Sequence, residues 1–187
     1  MKIARTIVAL GASAALLAAA APPVAAEEIS CRGRIGGRTV DNVKVPAGAT
    51  CILDGTVVQG TIKVNTGATL YALGVRVVGN VQGENARYVE VRAGSRIGGS
   101  VQIVQGRSAL LRWSRINGDI LFDDQTGRVT TRDNQVGGNI QAFQNTGGVV
   151  IAHNTVDGNL QCKENYPRPT GGNNTVHGNK EDQCRWL

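Results

Sequence analysis

Glycine recurs at Gly60, Gly79, Gly99, Gly118, Gly138, Gly158 and Gly178, at intervals of 19 or 20 residues. Each stands two residues after a β-branched side chain and directly before a short polar one. A fixed period of this length marks a solenoid, in which each repeat is one coil stacked on the one before. Few other architectures tolerate so regular a spacing, so the period constrains the fold more than any other feature of the chain.

With each glycine as origin, the sequence resolves into columns. Two residues before it come Val58, Val77, Ile97, Ile116, Val136, Val156 and Val176; two after it come Ile62, Val81, Val101, Ile120, Ile140 and Leu160. Four residues after it the column is Val64, Gly83, Ile103, Phe122, Ala142 and Cys162, thin at Gly83 and Ala142. Period-two alternation on both sides of a glycine predicts a strand, a bend and a second strand. A third strand is expected about ten residues on, through Leu70, Val89, Leu111, Val129 and Val149. Three short strands per coil, each running in the same direction as its neighbour, make a parallel β-helix. The absence of a strict six-residue repeat favours the right-handed form. Seven to eight coils are expected, with roughly 29 Å between the first and last glycines at ~4.8 Å per coil.

Residues 1–26 are read as a secretory signal peptide. Lys2 and Arg5 give a charged start, Ile7 to Ala21 an apolar stretch, and Val24-Ala25-Ala26 a small-residue cleavage site. Residues 27–187 then form one domain, with an N-terminal cap over 27–39, coils over 40–179 and a C-terminal cap over 180–187. Cleavage near Ala26 implies a secreted or periplasmic protein. In that setting Cys31, Cys51, Cys162 and Cys184 are expected as two disulfides. Cys31–Cys51 spans 20 residues and Cys162–Cys184 spans 22, each about one coil. Neighbouring coils lie within disulfide reach, so one staple is expected at each end, each worth roughly 3 kcal/mol in the loop-entropy picture. A zinc site is disfavoured by the lack of any C-x-x-C motif or nearby histidine pair.

Polar residues also stack. Asn134, Asn154 and Asn174 recur four residues before the glycine, above Ser95 and Ser114. Asn80, Asn139, Asn159 and Asn179 follow it directly, in a column shared with Thr61, Ser100 and Asp119. Both columns read as structural ladders in which stacked side chains satisfy buried turn groups.

Charge is less evenly spread. Without Lys2 and Arg5 the chain carries 18 basic and 14 acidic side chains, a net charge of +4. The stretch from Arg76 to Arg132 holds nine arginines, no lysine and five acids, and so accounts for that whole excess. Arg76, Arg96 and Arg115 lie three before the glycine, Arg92, Arg112 and Arg132 recur every 20 residues, and Arg87 and Arg107 form a shorter pair. Stacked like charges are either screened and paired as a solvated face or arranged to bind a polyanion through planar guanidinium forks. Trp113, beside Arg112, is either a corner filler or a stacking plate for a sugar or base. The candidate partner is an acidic polysaccharide or another polyanion.

The alternative reading is a calcium-dependent polysaccharide lyase, with Asp119, Asp123 and Asp124 as the metal carboxylates. Asp119 also fits the turn column, and Asp124 the polar column of Asn85, Gln105 and Gln144. His153 and His177 fall in different columns, and no phosphate-binding loop or nucleophile motif is present. No catalytic residue and, outside the calcium alternative, no cofactor is assigned.

The segment Gly158-Asn159-Leu160-Gln161-Cys162-Lys163-Glu164-Asn165, continuing through Pro169-Thr170-Gly171-Gly172 to Gly178-Asn179-Lys180-Glu181-Asp182-Gln183-Cys184, resembles small exported bacterial β-helix proteins without an assigned activity. At the level of fold the chain is similar to the pectate-lyase-like superfamily, which implies a right-handed helix. No active-site motif of that superfamily matches here, so the resemblance implies architecture and export alone.

Overall fold

The computed structural model describes residues 27–187 and forms an all-β parallel solenoid. The expected signal peptide, residues 1–26, lies outside the described residues. Three sheets run the length of the rod. The first has nine strands, from Glu28–Ser30 to Lys180–Asp182. The second has eight, from Arg34–Ile35 to Thr170–Gly172, and the third eight strands of two residues each, from Thr39–Val40 to Thr175–Val176.

Inward positions alternate with outward ones along every strand, so each coil contributes a few aliphatic side chains to one continuous core. Phe122 is the largest fully buried side chain, seated between Ile103 and Ala142 in the first sheet. The first-sheet strands remain paired at Gly83 and Ala142, where the column is thin.

One expectation is corrected. The third-strand column runs through Leu70, Val89, Ala109, Val129 and Val149, with Leu111 one inward position further on, beside Val91 and Thr131. Ala109 and Leu111 both point inward, so apolar bulk alone favoured the larger residue, whereas backbone pairing sets the register. The strand ladder extends past 40–179 at both ends. Glu28–Ser30 pairs with Asn42–Lys44, and Lys180–Asp182 with Leu160–Cys162. Backbone pairing continues past the last apolar side chain, and the core is closed by the buried Cys184 and Leu187 of the C-terminal turn. The expected disulfides are both present, Cys31–Cys51 and Cys162–Cys184, with Cα–Cα distances of 5.5 and 5.1 Å.

The structure gives the recurrent glycine a spatial cause. None of the seven has a positive φ. Instead, from Thr61 to Asn159 the side chain just after each glycine accepts a hydrogen bond from its counterpart's N–H in the next coil, and Asn42 begins the same series one coil earlier. The series runs from Asn42 Oδ1 with Thr61 N–H (2.9 Å), through Asn80 Oδ1 with Ser100 N–H (2.8 Å), to Asn159 Oδ1 with Asn179 N–H (2.8 Å). That acceptor lies where the Cβ of the next coil's residue would go: a Cβ at Gly79 would stand 2.6 Å from Thr61 Oγ1, and one at Gly158 2.5 Å from Asn139 Oδ1. Ladder and glycine are one device, which is why their periods coincide.

Asn134, Asn154 and Asn174 form a second, buried ladder. Asn134 N–H donates to Asn154 Oδ1 (3.1 Å) and Asn154 N–H to Asn174 Oδ1 (2.9 Å), while each Nδ2 donates to a core-strand carbonyl. A third ladder, Gln125–Asn145–Asn165–Gln183, runs down another corner (3.0, 3.1 and 2.9 Å) and was not anticipated. Gln125, Asn145 and Asn165 are spaced 20 residues apart and Gln183 follows 18 later, but the same column holds Ala86 and Gly106 in earlier coils, which masks the pattern.

Both buried corners are built alike. A left-handed residue turns the chain and the following amide points inward: Asp124-Gln125, Gln144-Asn145 and Glu164-Asn165 at one, Asp133-Asn134, His153-Asn154 and Asn173-Asn174 at the other.

Candidate functional site

The arginines form two columns of different character. In the third sheet each strand has one inward and one outward residue, so Ile97 enters the core while Arg96 faces solvent. Register then places Arg76, Arg96 and Arg115 directly over one another on successive coils. The column is uncharged on either side of them, with Val57 before and Gln135 after. None of the ion pairs among the described residues involves these three guanidiniums. The ~4.8 Å coil spacing sets like charges on adjacent backbone positions with no ion pair to offset their mutual repulsion. Beside them run shallow grooves floored by Val78, Gly98 and Asn117, with Val78 itself well exposed.

Arg92, Arg112 and Arg132 lie at the end of the second-sheet strands and each is paired with an acid, three guanidiniums against two carboxylates. Arg92 Nε pairs with Glu90, whose side chain also accepts a hydrogen bond from the Tyr88 hydroxyl at 2.8 Å. Arg112 and Arg132 share Asp133 Oδ2, at 3.2 and 3.1 Å. Glu90 is only 7% exposed although it sits on the outer face of its sheet. Burial first, and then the bond to Glu90, push the Tyr88 hydroxyl well above the ordinary tyrosine value. Asp133 lies one residue beyond the basic stretch delimited in the sequence, so its role escaped the charge count.

Trp113 joins the two columns. It occupies a left-handed corner with φ of 50°, and the equivalent corner positions are Gly55, Gly74, Ala93, Asp133, His153 and Asn173. The residue is 51% exposed, and the Arg112 guanidinium lies 3.6 Å from the ring centroid. The ring borders a groove that also contains Ser95, Arg96, Arg115, Asp133 and Gln135.

The aspartates of the calcium alternative do not assemble. Asp119 Oδ1 is occupied by the glycine-linked ladder, accepting from Asn139 N–H (2.7 Å) and Nδ2 (3.0 Å). Asp123 ends a first-sheet strand and Asp124 is the left-handed corner after it. Among the described residues no three His, Cys, Asp or Glu side chains are grouped to hold a metal ion. Nor is any helix there long and apolar enough to cross a membrane. No family model, curated protein or solved structure matches the chain.

Proposed function

We propose that the chain is an exported, rigid, non-enzymatic rod, akin to the small bacterial β-helix proteins it resembles, that binds acidic polysaccharide along Arg76, Arg96 and Arg115. The observation that carries this reading is the register-stacked column of three guanidiniums with no acidic partner. An anionic polymer laid along the rod relieves the repulsion within the column and receives planar, bidentate donors one coil apart. The continuous core supports this role, because ladders and stapled ends hold the spacing fixed before the ligand arrives. The two disulfides suit an oxidising, extracytoplasmic setting.

Retention of the mature chain on immobilised heparin tests the reading. Replacing Arg76, Arg96 and Arg115 together with serine is expected to lower the eluting salt concentration sharply. A control with Arg87, Arg107 and Arg128 changed to serine removes the same net charge and is expected to shift elution far less. Equal shifts in the two variants would reduce the interaction to bulk charge and refute a defined site.

A further inference from the structure

We infer that Trp113 is a ring-stacking subsite at the side of the arginine column, which makes the ligand a glycan of acidic pyranose units and not a generic polyanion; this rests on the reading proposed above. The first ground is conformational. A tryptophan at φ of 50° is the bulkiest occupant of a left-handed corner held in other coils by Gly55, Gly74, Ala93, Asp133, His153 and Asn173, several of which adopt that backbone at less cost. The residue is half exposed and is not part of the buried core. Strain retained without a packing return belongs to sites that act on something else.

The second ground is that the ring is held in place. Asp133 fixes Arg112 through its carboxylate, and Arg112 in turn covers the indole at 3.6 Å. Asp133 is thus a positioning residue acting through Arg112. The plate is set before a ligand arrives, which lowers the ordering cost of binding.

The third ground is what surrounds it. The groove beside Trp113 presents Arg96 and Arg115 for an anionic substituent, and Ser95, Asp133 and Gln135 for hydroxyl groups. A pyranose offers all three features together: an apolar ring face, hydroxyls around its edge and a carboxylate or sulfate. A polyphosphate offers only charge. A nucleic acid offers a stackable base, but it has few hydroxyls to use Ser95, Asp133 and Gln135.

The test uses Trp186→Phe, which leaves Trp113 as the sole tryptophan, and reads its fluorescence during titration. Short heparin oligosaccharides, oligogalacturonates, inorganic polyphosphate and a single-stranded oligodeoxynucleotide are the probes. At least one acidic oligosaccharide is expected to shift the Trp113 emission, while polyphosphate binds without doing so. Trp113→Asn, which installs the residue found at the same corner as Asn173, is expected to keep or raise thermal stability. It should lower oligosaccharide affinity roughly tenfold, the weight of one good stacking contact, and leave polyphosphate binding unchanged. Oligosaccharide and polyphosphate binding with no change in Trp113 emission, or equal losses in Trp113→Asn, overturns the subsite and leaves the arginine column standing. A shift produced by the oligodeoxynucleotide alone overturns it in favour of base stacking. Failure of every probe to bind overturns both.

Discussion

Arg76, Arg96 and Arg115 share their spacing and charge with Arg92, Arg112 and Arg132, yet the two columns are in opposite electrostatic states. The second carries its own counter-ions, Glu90 and Asp133, at the end of a four- or five-residue strand. The first stands on two-residue strands with polar or apolar neighbours in register, and none of its guanidiniums forms an ion pair among the described residues. Regular spacing therefore does not mark a binding face. The absence of compensation does, because only there does an external anion gain what the fold has left unsatisfied.

The comparison is broken most severely by reversing one charge at its centre. Arg96→Glu places a carboxylate between Arg76 and Arg115, creating the internal pairing the first column lacks. Affinity for acidic oligosaccharide is expected to fall about 100-fold, near 3 kcal/mol, as measured by isothermal titration calorimetry. The fold should persist, since the position is exposed and outward-facing.

The converse change should make the second column resemble the first. Asp133→Asn keeps a residue suited to the left-handed corner but frees Arg112 and Arg132. Retention on heparin is expected to increase, and stability to drop by no more than about 1 kcal/mol, because the pairs are partly exposed. A decrease in retention would mean that Asp133 serves the ligand through Arg112 and Trp113 more than it masks charge.

A smaller effect reports on the masking of Arg92. Tyr88 is held protonated by burial and by Glu90, so Glu90→Gln should move its ionisation part of the way back toward 10.0, with the burial contribution retained. Ultraviolet absorbance during alkaline titration follows it directly. Because the folded-state value is raised, this contribution to stability is intact below the ordinary tyrosine value. It is lost as pH rises from there toward the folded-state value.

The architecture was legible because a solenoid writes its packing into the sequence at one fixed period. The glycine columns, the disulfides and two of the three ladders followed from counting alone. The third ladder did not, since its column begins with Ala86 and Gly106, which carry no amide. Leu111 was misplaced because two inward positions per strand look alike without the register. The candidate site was visible only in part. The arginines announce themselves, but which column is masked depends on Glu90 folding back along its own strand and on one carboxylate, Asp133, reaching two coils. Such contacts have no period, so no column count reveals them. Nor does the sequence show that Trp113 occupies a left-handed corner shared with glycine and asparagine.

The most direct test of the central claim compares two triple variants in the salt dependence of binding to a single acidic oligosaccharide. Arg76, Arg96 and Arg115 are replaced by serine in one, Arg92, Arg112 and Arg132 in the other. Each loses three positive charges, so bulk electrostatics treats them alike. The account predicts that the slope of log affinity against log salt falls by about three in the first variant, one per arginine, and changes little in the second. Equal reductions, or the larger one in the second variant, would contradict it.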